Sequence, residues 1–301
     1  MLTVTDLHKT FRALKREVHA LNGVSFTVNA GEVVALLGAN GAGKTTTMRM
    51  IVGLMLPDTG QVRLEGFAPG TRGYTTRLGA LLDTARSSAS RLSVLENLEY
   101  TAALRGLPPN LGKARALELC AELQLTDKVH APAQTLSKGM LSKLALANAI
   151  IHDPVCVLLD APTLGLDLEA ADALEARVLE MAKSGKAVLL TTHQMEVAQR
   201  LADRVVILVG GRVLLDQPKK VLLSQFGAQT YRVTLQDAVP ALTLEFPHTV
   251  HGHTLTVTLP DAEALYALFE QLRPHAVMNI EKLDADLGTV FRRVMHAQGQ
   301  P

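Results

Sequence analysis

The stretch Gly38–Thr45, GANGAGKT, constrains this chain more than any other. It fits Gly-x-x-x-x-Gly-Lys-Thr, follows the unbroken apolar run Val33–Leu37 and precedes TTMRMIVGLM, which is helical in character. A strand, a glycine-rich turn and a helix in that order build a phosphate-binding loop. Gly38, Gly41 and Gly43 let the backbone curl so that its N–H groups, including those of Ala39, Asn40, Ala42 and Thr46, converge on phosphate oxygens. The helix beginning at Lys44 points its positive end at the same oxygens. Lys44 offers a point charge to the β- and γ-phosphates, and Thr45 a hydroxyl ligand to Mg²⁺.

The surroundings read as α/β. Val155–Leu159, Val188–Leu190 and Val205–Val209 are continuous apolar runs, as expected of strands buried on both faces of a sheet. The first of these ends in Asp160, which places one carboxylate at the end of a strand neighbouring the phosphate loop, a reasonable Mg²⁺ ligand. Ser93–Ile151 is mainly helical and reads as a subdomain, about 93–152, inserted into the sheet domain. After Asp167, the residues Leu168, Ala171, Leu174, Val178 and Met181 fall three or four apart and predict one apolar helix face. The pattern changes near residue 225. Short alternating strands at Tyr231–Leu235 and Thr254–Leu259, a helix over 261–272, a strand at Val277–Leu283 and a last helix from Asp286 predict a small α+β domain over 226–301. His248, His251 and His253 lie in HTVHGH without a Cys or carboxylate framework, and read as a polar turn.

Composition bounds the partners. Thirty Lys and Arg against 29 Asp and Glu leave a net charge of +1, which argues against a broad nucleic-acid surface. The chain is 48% hydrophobic with a mean hydropathy of +0.17, yet no run approaches the roughly 20 apolar residues needed to cross a bilayer. The start, MLTVTDLHKTFRALKREV, is too charged for a signal peptide, and Cys120 and Cys156 read as core thiols of a reducing cytosol.

Taken in order, five motifs resemble the nucleotide-binding subunit of ABC transporters over residues 1–225, and within that family the ATPases of bacterial drug, antibiotic or lipid exporters. TDLHKTF sets Phe11 where the family stacks a ring on adenine. GANGAGKTT is the phosphate loop. LSKGM (Leu136–Met140) resembles the family signature, DAPTLGLD (Asp160–Asp167) the stretch from the magnesium carboxylate to the loop at the dimer seam, and TTHQMEV the switch region with His193. The resemblance implies a P-loop NTPase fold with a mixed sheet core, ATP and Mg²⁺ as ligands, and two copies paired head to tail around two ATP molecules. Ser137 and Gly139 of one copy would face the γ-phosphate bound by the other. His193 would contact that phosphate and the attacking water, and Asp167 would lie at the seam. Two separate membrane-spanning permease subunits would complete the transporter, docking near Asp83–Leu98 and holding this chain at the cytoplasmic face of the membrane. Residues 226–301 resemble the accessory domain of some exporter ATPases.

Three positions depart from the family pattern. Ala161 follows Asp160 where the family has the Glu that polarises water, so the chain is expected to bind ATP and hydrolyse it slowly. Because Asp160, Pro162, Thr163, Gly165, Leu166, Asp167 and His193 are intact, an engineered Glu→Ala replacement that traps the ATP-bound dimer is expected. A naturally degenerate subunit of an asymmetric pair is the alternative. Asp83 stands where the family has a magnesium-contacting Gln; an Asp there is a good Mg²⁺ ligand and, as an alternative role, a substitute base for the missing Glu. LSKGM replaces the commoner LSGGQ but keeps Ser137 and Gly139. A soluble ABC ATPase acting on ribosomes or DNA is a different class of reading. A single phosphate loop, and only about 90 residues between Lys44 and Leu136 with little heptad pattern, speak against it. An ATP-binding sensor that merely assembles is a third reading.

Overall fold

A computed structural model describes the chain except for residues 14–15, 83–87, 227–228, 238–243, 262, 274, 284–285 and 298–301. The chain divides into two compact units, Met1–Gln217 and Pro218–Pro301. The division falls before the change of pattern near 225, because helix α8 (Lys219–Phe226) packs on the final helix, α10 (Leu287–Ala297).

The first unit begins with two long strands, β1 (Leu2–Ala13) and β2 (Arg16–Val28), paired antiparallel, with β4 (Thr59–Leu64) on the other side of β1. Alternation works here: Leu2, Val4 and Leu7 of β1 and Val24, Phe26 and Val28 of β2 are buried, and intervening positions such as Thr5 and Ser25 are exposed. The apolar runs become a second, six-stranded sheet. Its order is β5 (Leu78–Leu81), β6 (Cys156–Asp160), β7 (Ala187–Thr191), β3 (Val33–Leu37), β8 (Arg204–Val209), β9 (Arg212–Pro218). The pairs from β5 to β8 are parallel, and every residue of β3 and β7 is buried, as a sheet covered on both faces requires. Burying one such Leu or Val contributes about 2 kcal/mol.

Strand β6 is therefore not the neighbour of β3. Strand β7 lies between them, so the expected carboxylate reaches the phosphate loop across an intervening strand. Arg204 ties the sheet to the N-terminal layer. Its guanidinium donates to Glu32 at 2.7 Å, to Asp216 at 2.5 Å and to the Thr27 carbonyl.

The expected helical insert consists of α3 (Val94–Leu104), α4 (Pro109–Glu122) and α5 (Lys138–Ile150). Ser93 and Glu96 close a reciprocal capping box on α3. The buried Asn97 amide donates to the carbonyls of Ala89, Leu92 and Ser93, and so fixes the chain that enters this helix. Helix α6 (Leu168–Lys183) buries Leu174, Val178 and Met181 as the spacing predicts, but Leu168 is 77% exposed. As the first helical residue it extends past the edge of the packed face.

The second unit is an antiparallel sheet in the order β11 (His248–His251), β12 (Thr254–Leu259), β10 (Gln229–Leu235), β13 (Val277–Leu283), with α9 (Ala264–Leu272) in its core. HTVHGH is thus a strand and a tight turn at Gly252 (φ +60°) rather than a turn alone. Its histidines form no metal-holding group among the described residues.

Candidate functional site

The phosphate loop joins β3 to α1 (Lys44–Val52). Gly43 caps α1 at φ +107°, and a β-carbon there would lie 2.6 Å from Leu21 Cδ2 and 2.8 Å from the Ala20 carbonyl, so only glycine fits. No side chain caps the first turn of α1, which leaves its N–H donors for an anion. Gly41, at φ +81°, has no atom within 4 Å of where a β-carbon would stand, so this face of the loop is open. The buried Lys44 ammonium donates to the carbonyls of Gly38 at 2.7 Å and Ala39 at 3.1 Å, which holds it inside the loop. Burial pushes its pKa below the usual lysine range, and the negative charge of Asp160 works in the other direction. Thr45 is exposed at the start of the helix.

Asp160, at the end of β6, accepts a hydrogen bond from the Thr191 hydroxyl at the end of β7. The same hydroxyl oxygen lies 3.3 Å from the Ala161 N–H, which also donates to the Thr191 carbonyl at 3.0 Å. Ala161 is held at φ +45°, the left-handed region that costs a side-chain-bearing residue about 1–2 kcal/mol. The loop 161–167 is latched to the switch turn where Thr163 donates to the Gln194 side chain at 3.0 Å. His193, two residues beyond Thr191, is exposed.

A second cluster forms around the signature. Ser137 caps α5 by accepting from Met140 N–H, and Asp167 caps α6 by accepting from Ala170 N–H at 2.8 Å. A β-carbon on Gly139 would meet Ala170 and lie 3.9 Å from an Asp167 carboxylate oxygen, so the two helix starts sit side by side. Asp167 is thus the N-cap of α6. Phe11, 42% exposed, lies on the hairpin that touches the phosphate loop through Ala20 and Leu21. Asp83 lies outside the described residues. Sequence reasoning missed Thr191 and Gln194. The signal was available in AVLLTTH, where two hydroxyl residues end an otherwise apolar buried strand just before His193.

The groups present suit a nucleoside triphosphate with Mg²⁺. The loop supplies open N–H donors and one cation, and Thr45 and Asp160 are hard oxygen donors of the type Mg²⁺ prefers. Comparison with known proteins agrees. The family model described as "ABC transporter" matches residues 21–164. The ABC transporter ATP-binding protein NatA of Bacillus subtilis is 36% identical over 216 residues, covering 71% of this chain and 88% of that protein. The Nod factor export ATP-binding protein I of Ralstonia nicotianae is 34% identical over 304 residues, covering 98% and 93%. Among solved structures, an ATP-binding subunit of an ABC transporter superposes with a TM-score of 0.67 at 33% identity, covering 75% of this chain and 93% of that one.

Proposed function

Because the chain belongs to the family of ABC transporter ATP-binding proteins, we propose that it is the ATP-driven subunit of an exporter and that it holds ATP far longer than it hydrolyses it. The observation that carries the reading is the phosphate loop. Lys44 is seated between the Gly38 and Ala39 carbonyls, α1 has an uncapped N-terminus, and the charge of Asp160 acts on the ammonium. Lys44 and the loop N–H groups bind the phosphates, Thr45 and Asp160 hold Mg²⁺, and Phe11 stacks on the base. Mg²⁺ neutralises phosphate charge when bound. Asp83 is a further candidate ligand by its sequence position.

Two copies pair so that Ser137 and Gly139 of one complete the site of the other, with Asp167 at the seam. Support comes from the exposure of Leu164 (62%) and Leu168 (77%) on either side of Asp167, apolar surface suited to burial against a second copy. His193 orients the attacking water. A methyl group at position 161 cannot take that water's proton, and loss of general-base help slows hydrolysis by about 10²–10⁴-fold. Regained turnover in Ala161→Glu is the result expected of a Glu replaced in an otherwise intact site. Continued inactivity points to a degenerate partner in an asymmetric pair.

The likeness to the Nod factor export protein supports an export role, in which separate permease subunits, two per transporter, hold the chain at the cytoplasmic face of the membrane. No helix among the described residues is long and apolar enough to cross a membrane. Residues 226–301 add dimer contact or regulation.

Sedimentation of the full chain with and without MgATP tests the reading. ATP-dependent dimers that Lys44→Ala cannot form are expected. A Lys44→Ala variant that binds ATP and pairs like the parent would overturn it.

A further inference from the structure

We infer that Thr191 is the residue that aims Asp160, and that it links the magnesium carboxylate to the turn at Ala161. The inference rests on the reading of Asp160 as a Mg²⁺ ligand. The topology creates the need. Strand β7 lies between the phosphate-loop strand β3 and the carboxylate strand β6, so Asp160 must act past its neighbour. In the parallel ladder Asp160 and Thr191 are register partners, which brings the two side chains together at the C-terminal edge of the sheet.

Each group of Thr191 is committed. Its residue is 2% exposed, so the side chain has no room to wander, and β-branching stiffens χ1. Its one hydroxyl proton goes to Asp160 Oδ1. A lone pair of the Thr191 hydroxyl oxygen, and the Thr191 carbonyl, take the Ala161 N–H. With Oδ1 held, the rotation of the carboxylate is restricted and Oδ2 is left for the metal. The two bonds to the Ala161 N–H hold the left-handed turn that sets where the side chain at position 161 points. Thr191 thus fixes both the ligand and the place of the missing base, two residues before His193. Hydrogen-bond donors to metal-ligating carboxylates typically change metal affinity 10–100-fold when removed.

Calorimetric titration of ATP in Mg²⁺ and in EDTA, on the parent chain, Thr191→Val and Thr191→Ser, tests this. Valine keeps the shape and removes the donor; serine keeps the donor. The expected result is that Thr191→Val loses about tenfold or more of the affinity that Mg²⁺ adds, keeps the affinity measured in EDTA, and that Thr191→Ser restores the gain. A Thr191→Val protein with the full Mg²⁺ gain overturns the inference, and so does a loss of equal size in EDTA, which marks general damage to the fold. If thermal melts show Thr191→Val to be unfolded, Thr191→Ala carries the same expectation with no steric risk. A parent chain that binds ATP in EDTA with no Mg²⁺ gain removes the carboxylate reading, and the inference with it. Failure of ATP to bind at all is a failure of the proposed function, and is thereby distinct from a Thr191→Val protein that behaves as the parent.

Discussion

Placing a carboxylate at position 161 is expected to speed ATP hydrolysis. The backbone is ready for it. Ala161 sits at φ +45° with its N–H held by the Thr191 carbonyl at 3.0 Å and the Thr191 hydroxyl at 3.3 Å. Alanine and glutamate bear the same left-handed cost of about 1–2 kcal/mol, so the exchange adds no backbone strain. A positioned general base is worth about 10²–10⁴-fold, or about 3–5 kcal/mol of barrier at 1.36 kcal/mol per decade. Ala161→Gln matches the size without the basicity and should give no such gain. Ala161→Gly relieves the strain and is expected to add about 1 kcal/mol of stability, seen as a rise of about 2–4 °C in Tm, but it brings no base. The assay is phosphate release at saturating MgATP, read above a Lys44→Ala background. Equal turnover for the Glu and Gln variants would refute the argument that a missing base limits the rate, and a Gly variant as fast as the Glu variant would point to strain instead.

Other perturbations probe the parts separately. Gly43→Ala drives a β-carbon against Leu21 and the Ala20 carbonyl, and should abolish ATP binding and lower Tm, measurable by titration and melting. Phe11→Ala should weaken ATP by about tenfold, the scale of base stacking on an aromatic ring, with little change in Tm because the ring is exposed. Arg204→Ala leaves the partly buried Glu32 and Asp216 without their cation and should cost about 3 kcal/mol at pH 7 in denaturant unfolding. Its pH dependence has a definite sign. Burial works to raise the Glu32 carboxyl, but hydrogen bonds from Arg204 and Asn29 and the charge of Arg204 outweigh it and hold the folded pKa below the ordinary glutamate value. The contribution is therefore full above the unfolded pKa and is lost as pH falls through the depressed folded one. The parent should lose stability over that acid window more steeply than Arg204→Ala, and parallel acid limbs would contradict the assignment.

Much of the site was legible because it is local. The loop Gly38–Thr45, its strand and its helix are contiguous, and their chemistry follows from glycine freedom and one lysine. Asp160 and His193 were readable as polar ends of apolar runs. What the sequence hid is non-local. Nothing in VCVLLD or AVLLTT says which strand lies beside β3, since fully apolar strands carry no periodicity to set neighbours apart. The pairing of Thr191 with Asp160 follows from that order and was hidden with it. The β1–β2 hairpin was blurred by register shifts after Val4, Leu7 and Lys9, which interrupt its alternation. Leu168 fitted a helix stripe by spacing alone, yet as the first residue of α6 it lies beyond the core that Leu174 and Val178 enter. Exposure there reflects where the helix starts relative to the sheet.

We propose that this subunit binds ATP and retains it intact, and the test is to mix the chain with MgATP, isolate the complex and follow the bound nucleotide with time. ATP, rather than ADP, is expected to remain the dominant bound nucleotide for many minutes, and Ala161→Glu is expected to convert it to ADP at least about a hundredfold faster. Rapid appearance of ADP on the unaltered chain, or no bound nucleotide at all, would contradict it.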